Sequence, residues 1–274
     1  MPRLEHVQSV ERTFAIIEAL KERGALGISE LAEQLSLDRS TVHRLLSTLR
    51  HLGYVNQDPE TLKYSNSLKF FDIGNSAQRS FGLAVTARPF MKALADETGE
   101  GVNLAVLQSY CMVYLEKIES SATISVNVPL GAYIPAYCTG LGKMLLSGLP
   151  DEEIRAVFSD SDERAVRGRT SDHLKIRRYT DRTLAGVDAL CAELKKIREQ
   201  GYSVDDEEYV EGLYCMAAPV RSSSGQIVAA MSVAVPLLGR GAQFRRKRES
   251  ILPRLIAAAN GVSAALGWRG EVFS

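Results

Sequence analysis

Two apolar seams of helical period, separated by only three residues, constrain the start of this chain more tightly than any other feature. Leu31 and Leu35 share one side of a short helix. Ser36, Leu37 and Asp38 interrupt it, and Val42, Leu45, Leu46 and Leu49 then form the stripe of a longer helix over 39–52, which Gly53 ends. Ser29 is placed to cap the shorter helix. Upstream, Val10, Phe14, Ile17 and Leu20 recur on one helical face, and Lys21 to Gly24 supply basic last-turn residues and a stop. Downstream, 54–57 and 62–65 read as strands around Asp58, Pro59, Glu60 and Thr61, which makes a hairpin. Three helices with a tight turn before the third, then a hairpin, predict a winged helix-turn-helix over residues 1–67.

The longer helix leaves polar groups off its apolar stripe: Arg39, Ser40, Thr41, His43, Arg44 and Thr48. Hydroxyls near a helix N-terminus suit phosphates and base edges, and arginine forks suit guanine or backbone phosphate. Lys63 adds a cation on the hairpin. The chain as a whole carries 33 basic and 33 acidic residues, so net charge announces no nucleic-acid partner. The balance is local: from Arg39 to Lys69 five basic residues face two acidic ones, a surplus of +3. That supports modest phosphate steering, to which a dimer would add. A small helical module that binds protein is the competing reading of the same pattern.

The length of 274 residues suits two domains of unequal size. A linker helix is expected over 68–85, with Leu68, Phe71, Ile73, Phe81 and Val85 apolar, and a further helix reaches Thr98. The period then changes. Residues 102–107, 111–116 and 124–128 are β-rich runs, and 212–219 and 227–235 bracket a turn at Ser222, Ser223, Ser224 and Gly225. Helical stretches fall at 140–149, 151–158, 183–200 and 248–266. The second domain, 86–274, is therefore expected to be α+β, an antiparallel sheet flanked by helices.

Other classes find little support. The first residues carry acid and no apolar run, and no stretch approaches the ~18 apolar residues that span a bilayer. Cys111, Cys138, Cys191 and Cys215 are widely spaced, which argues against disulfide frameworks and zinc ribbons, and a reducing cytoplasm fits. Gly142 and Lys143 lack the remainder of a phosphate-binding loop, and the four histidines have no nucleophile or ligand partner at motif spacing. No cofactor, metal or catalytic role is expected. Asp205 to Glu208 read as a solvated turn, and Arg245 to Arg248 as the exposed start of the last helix.

The chain resembles the IclR family of bacterial regulators over nearly its whole length. The resemblance rests on Val10 to Leu20, on Ile28 to Ala32 and on Arg39 to Leu46. In the second domain it rests on Pro135 to Lys143, Arg178 to Thr180, Arg198 to Tyr202, Asp205 to Glu208, Gly212, Cys215 to Val220 and Ser232. It implies a winged N-terminal domain, a GAF-like effector domain, and homodimers or tetramers on operator DNA. It places a small-molecule effector near Gly140, Leu141, Asp205, Cys215 and Ser232, with an organic acid as the expected class. Free N–H groups where the helix opens at Gly140 and Gly142 could receive a carboxylate. Tyr133 and Tyr137 are expected to wall the ligand. Each of these residues also has a packing role open to it, Cys215 as a small buried hydrophobe. Family members often carry a second hydroxyl two positions after Ser232, where this chain has Ala234. A second domain that only mediates oligomerisation is the alternative.

Overall fold

The structure, a computed structural model, describes residues 7–80, 82–119, 129–159, 175–237 and 239–270. The strand expected at 124–128 and the histidines at positions 6 and 173 lie outside them. The chain divides into two compact units, Met1–Ser80 and Phe81–Ser274.

In the first unit, α1 (Gln8–Arg23), α2 (Ile28–Gln34) and α3 (Arg39–His51) precede β1 (Val55–Gln57) and β2 (Tyr64–Asn66), and α4 (Lys69–Ser80) closes it. The hairpin is antiparallel with Val55 opposite Asn66, and Leu26 bridges to Tyr64, adding a third short edge. The core gathers Ile16, Leu20, Leu31, Val42, Leu46, Leu49, Val55 and Tyr64, one residue or more from every element except α4. The cap of α2 differs from expectation. Its N-cap is Gly27, whose N–H donates to the Glu30 carboxylate at 2.6 Å, while Ser29 lies inside the helix. The seam of α1 differs too. Ile16, Ala19 and Leu20 are buried, whereas Val10 and Phe14 are 51% and 59% exposed. The expected stripe ran through a second apolar face that this unit does not cover.

The expected linker helix is shorter than 68–85. It stops at Ser80, and a new helix, α5 (Leu83–Thr98), is capped by Gly82 at φ +60°. That left-handed backbone suits glycine and breaks the run of helical dihedrals.

Among the described residues the second unit holds one six-stranded sheet. Its strands are β3 (Gly101–Gln108), β4 (Cys111–Ile118), β5 (Tyr133–Pro135), β6 (Ser203–Asp206), β7 (Leu213–Arg221) and β8 (Ile227–Pro236). Their order is β5-β4-β3-β8-β7-β6, with every neighbouring pair antiparallel. Successive strand residues point to opposite faces, so each strand feeds two cores. One face carries Leu104, Met216, Met231 and Val233 against Met91 of α5 and Ile251, Leu255 and Val262 of α9 (Ala242–Ala265). The other carries Ala105, Ala217 and Ala230 beneath α6 (Gly140–Leu146), α7 (Asp151–Phe158) and α8 (Val187–Gln200). Small residues there let α6 lie close on the sheet. The last helix starts at Ala242, six residues before the expected 248, and continues through Pro253.

Candidate functional site

Strand register builds the site. Asp205 pairs with Cys215, Cys215 with Ala234, and Ala234 with Gly101, which puts these four in one row across β6, β7, β8 and β3. Two residues along each strand, on the same face, Ser203, Ala217, Ser232, Asn103 and Lys117 form the adjacent row. The first turn of α6 covers the β6 end of both rows, where the Ser203 hydroxyl donates to the Gly140 carbonyl at 2.6 Å. Beyond that cover the sheet face stays open as a cavity of about 310 Å³. Asn103, Asp205, Cys215 and Ser232 line it from the sheet, Gly140 and Leu141 from α6, and Met112, Tyr114, Ile134 and Tyr209 supply further walls.

Five of the seven residues expected at an effector site thus meet at one cavity: Gly140, Leu141, Asp205, Cys215 and Ser232. Tyr133 and Tyr137 do not line it, which corrects the expectation. On β5 the alternation of faces sends Ile134, not Tyr133, to the cavity. The Tyr133 hydroxyl instead donates to the Gln108 side chain at 2.7 Å. Tyr137 sits on a 3-10 turn, Ala136–Cys138, and packs edge-on to Phe158 at 6.0 Å. Its hydroxyl receives the Arg177 N–H at 2.7 Å. The expected free N–H of Gly142 is also taken, since it donates to Thr139 Oγ1 at 3.0 Å. Asn103, Tyr114 and Tyr209 are cavity residues that sequence reasoning missed. Asn103 was the most findable, as a polar amide inside an otherwise apolar strand.

Burial dominates the electrostatics. Asp205 is 4% exposed, and its carboxyl is pushed up to about 7, chiefly by desolvation. The Glu208 backbone N–H, 2.7 Å from Asp205 Oδ1, opposes that rise, while the charge of Glu208 reinforces it. Burial likewise drives the Cys215 thiol well above its ordinary range, so it is a neutral wall rather than a thiolate. The unfolded carboxyl titrates near ~3.9, so Asp205 binds its proton more tightly when folded. Its contribution to stability is full below that value and is lost as pH rises through about 7. Asp205→Asn should therefore narrow the gap between urea midpoints measured at acidic and mildly alkaline pH. An unchanged gap would mean that Asp205 does not titrate in this window.

On the first unit, α3 presents Arg39, Ser40, His43, Arg44 and Thr48 to solvent, with Thr41 half-buried. Among the described residues, no acidic side chain pairs with Arg39 or Arg44. Two expected contacts are already engaged: Thr48 Oγ1 donates to the Arg44 carbonyl at 3.0 Å, and Lys63 pairs with Glu30 at 3.1 Å.

Comparisons with known proteins identify both units. Residues 76–264 match the model of the bacterial transcriptional regulator IclR C-terminal domain, and residues 9–59 match the IclR helix-turn-helix domain. The chain belongs to the IclR family. It is 33% identical to the HTH-type transcriptional regulator KdgR of Escherichia coli strain K12 over 270 residues, covering 98% of this chain and 96% of that one. Among solved structures, a transcriptional regulator from Rhodococcus sp. RHA1 superposes with a TM-score of 0.78 at 29% identity, over 95% of this chain and 98% of that one. An IclR homologue of Microbacterium hydrocarbonoxydans, solved with 4-hydroxybenzoate, superposes with a TM-score of 0.72 at 22% identity, over 94% and 98% of the two chains. This IclR-type chain is accordingly a DNA-binding transcriptional regulator and not an enzyme. No helix among its described residues is long and apolar enough to cross a membrane.

Proposed function

We propose that this IclR-family protein binds operator DNA as a homo-oligomer through α3 and is controlled by a small organic acid held in the cavity of the second unit. The convergence of Ser232, Asn103 and Asp205 on one largely apolar cavity carries the effector reading. Pockets of this size with few polar groups suit small ligands. An acid needs donors. Ser232 and Asn103, paired across β8 and β3, offer a hydroxyl and an amide, and Asn103 makes good the hydroxyl missing at Ala234. Asp205 need not repel the ligand. With its carboxyl raised to about 7, the protonated form is accessible near neutrality and donates an O–H to the acid. The 4-hydroxybenzoate bound by the Microbacterium homologue supports an aromatic acid as one candidate class, with Tyr114, Tyr209 and Met112 as walls.

On DNA, the N-terminal half of α3 reads the major groove with Arg39, Ser40, Thr41, His43 and Arg44. Thr48 and Lys63 lie alongside for phosphate once their intramolecular bonds exchange. The exposed apolar side chains Val10, Phe14 and Phe71 support pairing of two copies. A two-fold pair needs half-sites about one helical turn apart or a multiple of it. Ligand binding then biases DNA affinity by its differential affinity for the two states. Selecting sites from a randomised duplex pool and measuring affinity tests this directly. Arg44→Ala should cost about 1–3 kcal/mol at the selected site and relax one base position. Equal affinity for wild type and variant would remove Arg44 from the readout.

A further inference from the structure

A second, smaller cavity of about 210 Å³ lies where the β7–β8 hairpin meets the C-terminal end of α6 and α8, and it shares no lining residue with the first. Among the described residues two arginines, Arg198 and Arg221, line it, and no carboxylate does. Their situations are opposite. Arg198 is fully engaged: Nε donates to the Ser147 carbonyl at 2.9 Å, Nη2 to the Leu149 carbonyl at 2.9 Å, and Nη1 pairs with Asp151 at 2.7 Å.

Arg221 has no carboxylate partner among the described residues. A β-bulge at Val220/Arg221 interrupts the ladder to β8, and bulges commonly re-aim a side chain. Its backbone N–H donates to Ser263 Oγ at 2.9 Å, and Nη1 donates to the Gly225 carbonyl at 2.9 Å. Its guanidinium stands 5.9 Å from the Trp268 ring. No hydrogen bond or salt bridge among the described residues uses Nε or Nη2. That unused edge is the planar fork that takes the two oxygens of a carboxylate or phosphate. The guanidinium is half-buried, and burial pulls it below its ordinary range, with no carboxylate among the described residues paired to it. A half-buried cation without a counter-charge is costly to maintain, and an oxyanion at its free edge removes that cost.

We propose that Arg221 is the anchor of a second binding site, separate from the effector cavity, for a small oxyanion: the phosphate or carboxylate group of a metabolite seated between the β7–β8 hairpin and α6. The occupant meets the Nε–Nη2 edge in bidentate fashion, and the exposed Gln226 side chain closes the cavity from the hairpin.

The chain supplies its own reporter, because Trp268 is the sole tryptophan and its indole borders Gly225 as well as Arg221. The full-length protein is titrated with sodium phosphate and with sodium citrate against sodium chloride at matched ionic strength. Trp268 emission and thermal midpoint are read together. The expected result is a saturable response to phosphate or citrate but not to chloride, and whichever responds more tightly names the source of the oxyanion. Arg221→Gln should raise the half-saturation point roughly ten- to hundredfold, the loss of a charge-assisted pair. Arg221→Lys, which keeps the charge and loses the fork, should fall between. Gln226→Glu keeps Arg221 and places a carboxylate in the cavity, so it should abolish the response even if Arg221→Gln folds poorly. Absence of a saturable response in both readouts overturns the proposal, as does an Arg221→Gln or Gln226→Glu protein that titrates like the wild type. Because the two cavities share no residue, either result leaves the effector reading to its own test.

Discussion

Gly142→Ala is expected to remove about 3 kcal/mol from the stability of the second unit. A Cβ built on Gly142 overlaps the Ala136 carbonyl oxygen and the Ala136 Cα. Both obstacles are backbone, so no flexible side chain can turn aside. Relief requires α6 to lift from the 3-10 turn before it, and that turn is fully buried. The same motion breaks the bond from the Gly142 N–H to Thr139 Oγ1 and shifts Gly140 and Leu141 at the cavity they line. Gly140→Ala is the matched control. Its added Cβ meets the Asp205 nitrogen and the Cys215 carbonyl at 3.5 Å, an ordinary contact. Urea unfolding of the three proteins should leave Gly140→Ala near the wild type and Gly142→Ala far below it. Similar midpoints for both variants would show that α6 is not seated as tightly as described.

Lys143→Met should be more damaging still, at about 3–5 kcal/mol, because it strands a buried charge. Lys143 is fully buried, and its ammonium pairs with Glu208 Oε1, while Glu208 Oε2 has no hydrogen-bond partner among the described residues. Burial already pushes the Glu208 carboxyl upward, with Lys143 opposing the rise. Removing Lys143 leaves only protonation to relieve Glu208. The damage would spread, since the Glu208 carbonyl accepts the Thr183 hydroxyl at 2.6 Å and its N–H holds Asp205 at the cavity. Replacing both partners, Lys143→Met with Glu208→Leu, removes the charge together with its counter-charge and should recover most of the loss. A single variant costing under about 1 kcal/mol, or a double variant as unstable as the sum of the singles, would refute the buried-pair account.

The helix-turn-helix unit was largely legible in the sequence, because helical period and turn residues are local signals. The stripe Val42, Leu46 and Leu49 is buried, and the intervening polar residues are exposed. The cavity of the second unit was legible only where the family resemblance reached. Which strand lies beside which, and in what register, depends on pairings between residues far apart in the chain. Nothing local tells that Asn103 stands opposite Ser232 or that Asp205 shares a row with Cys215. Tyr133 and Tyr137 misled for the converse reason. They are near Gly140 in sequence, but a strand's alternation and a 3-10 turn send them elsewhere. The pair Lys143 and Glu208 was unreadable as well. Four successive acids suggest solvent, yet the end of β6 and the turn after it bury Asp205 and Glu208 while Asp206 and Glu207 face Arg182 and Arg240.

The cavity bounded by Ser232, Asn103 and Asp205 is proposed to hold the effector. A thermal-shift screen of the full chain against short carboxylic, aromatic and sugar acids tests it most directly, run in parallel on Ser232→Leu, whose larger side chain fills the cavity. A ligand at about 100 times its Kd adds roughly 2.7 kcal/mol to the folded state. For a domain of this size that raises Tm by roughly 5–10 °C. Such a shift is expected with one chemical class in the wild type, and its loss in Ser232→Leu. No shift with any class would contradict this and leave the second unit an oligomerisation domain, and a shift that survives both in Ser232→Leu and in Arg221→Gln would contradict it by placing the ligand outside the cavity.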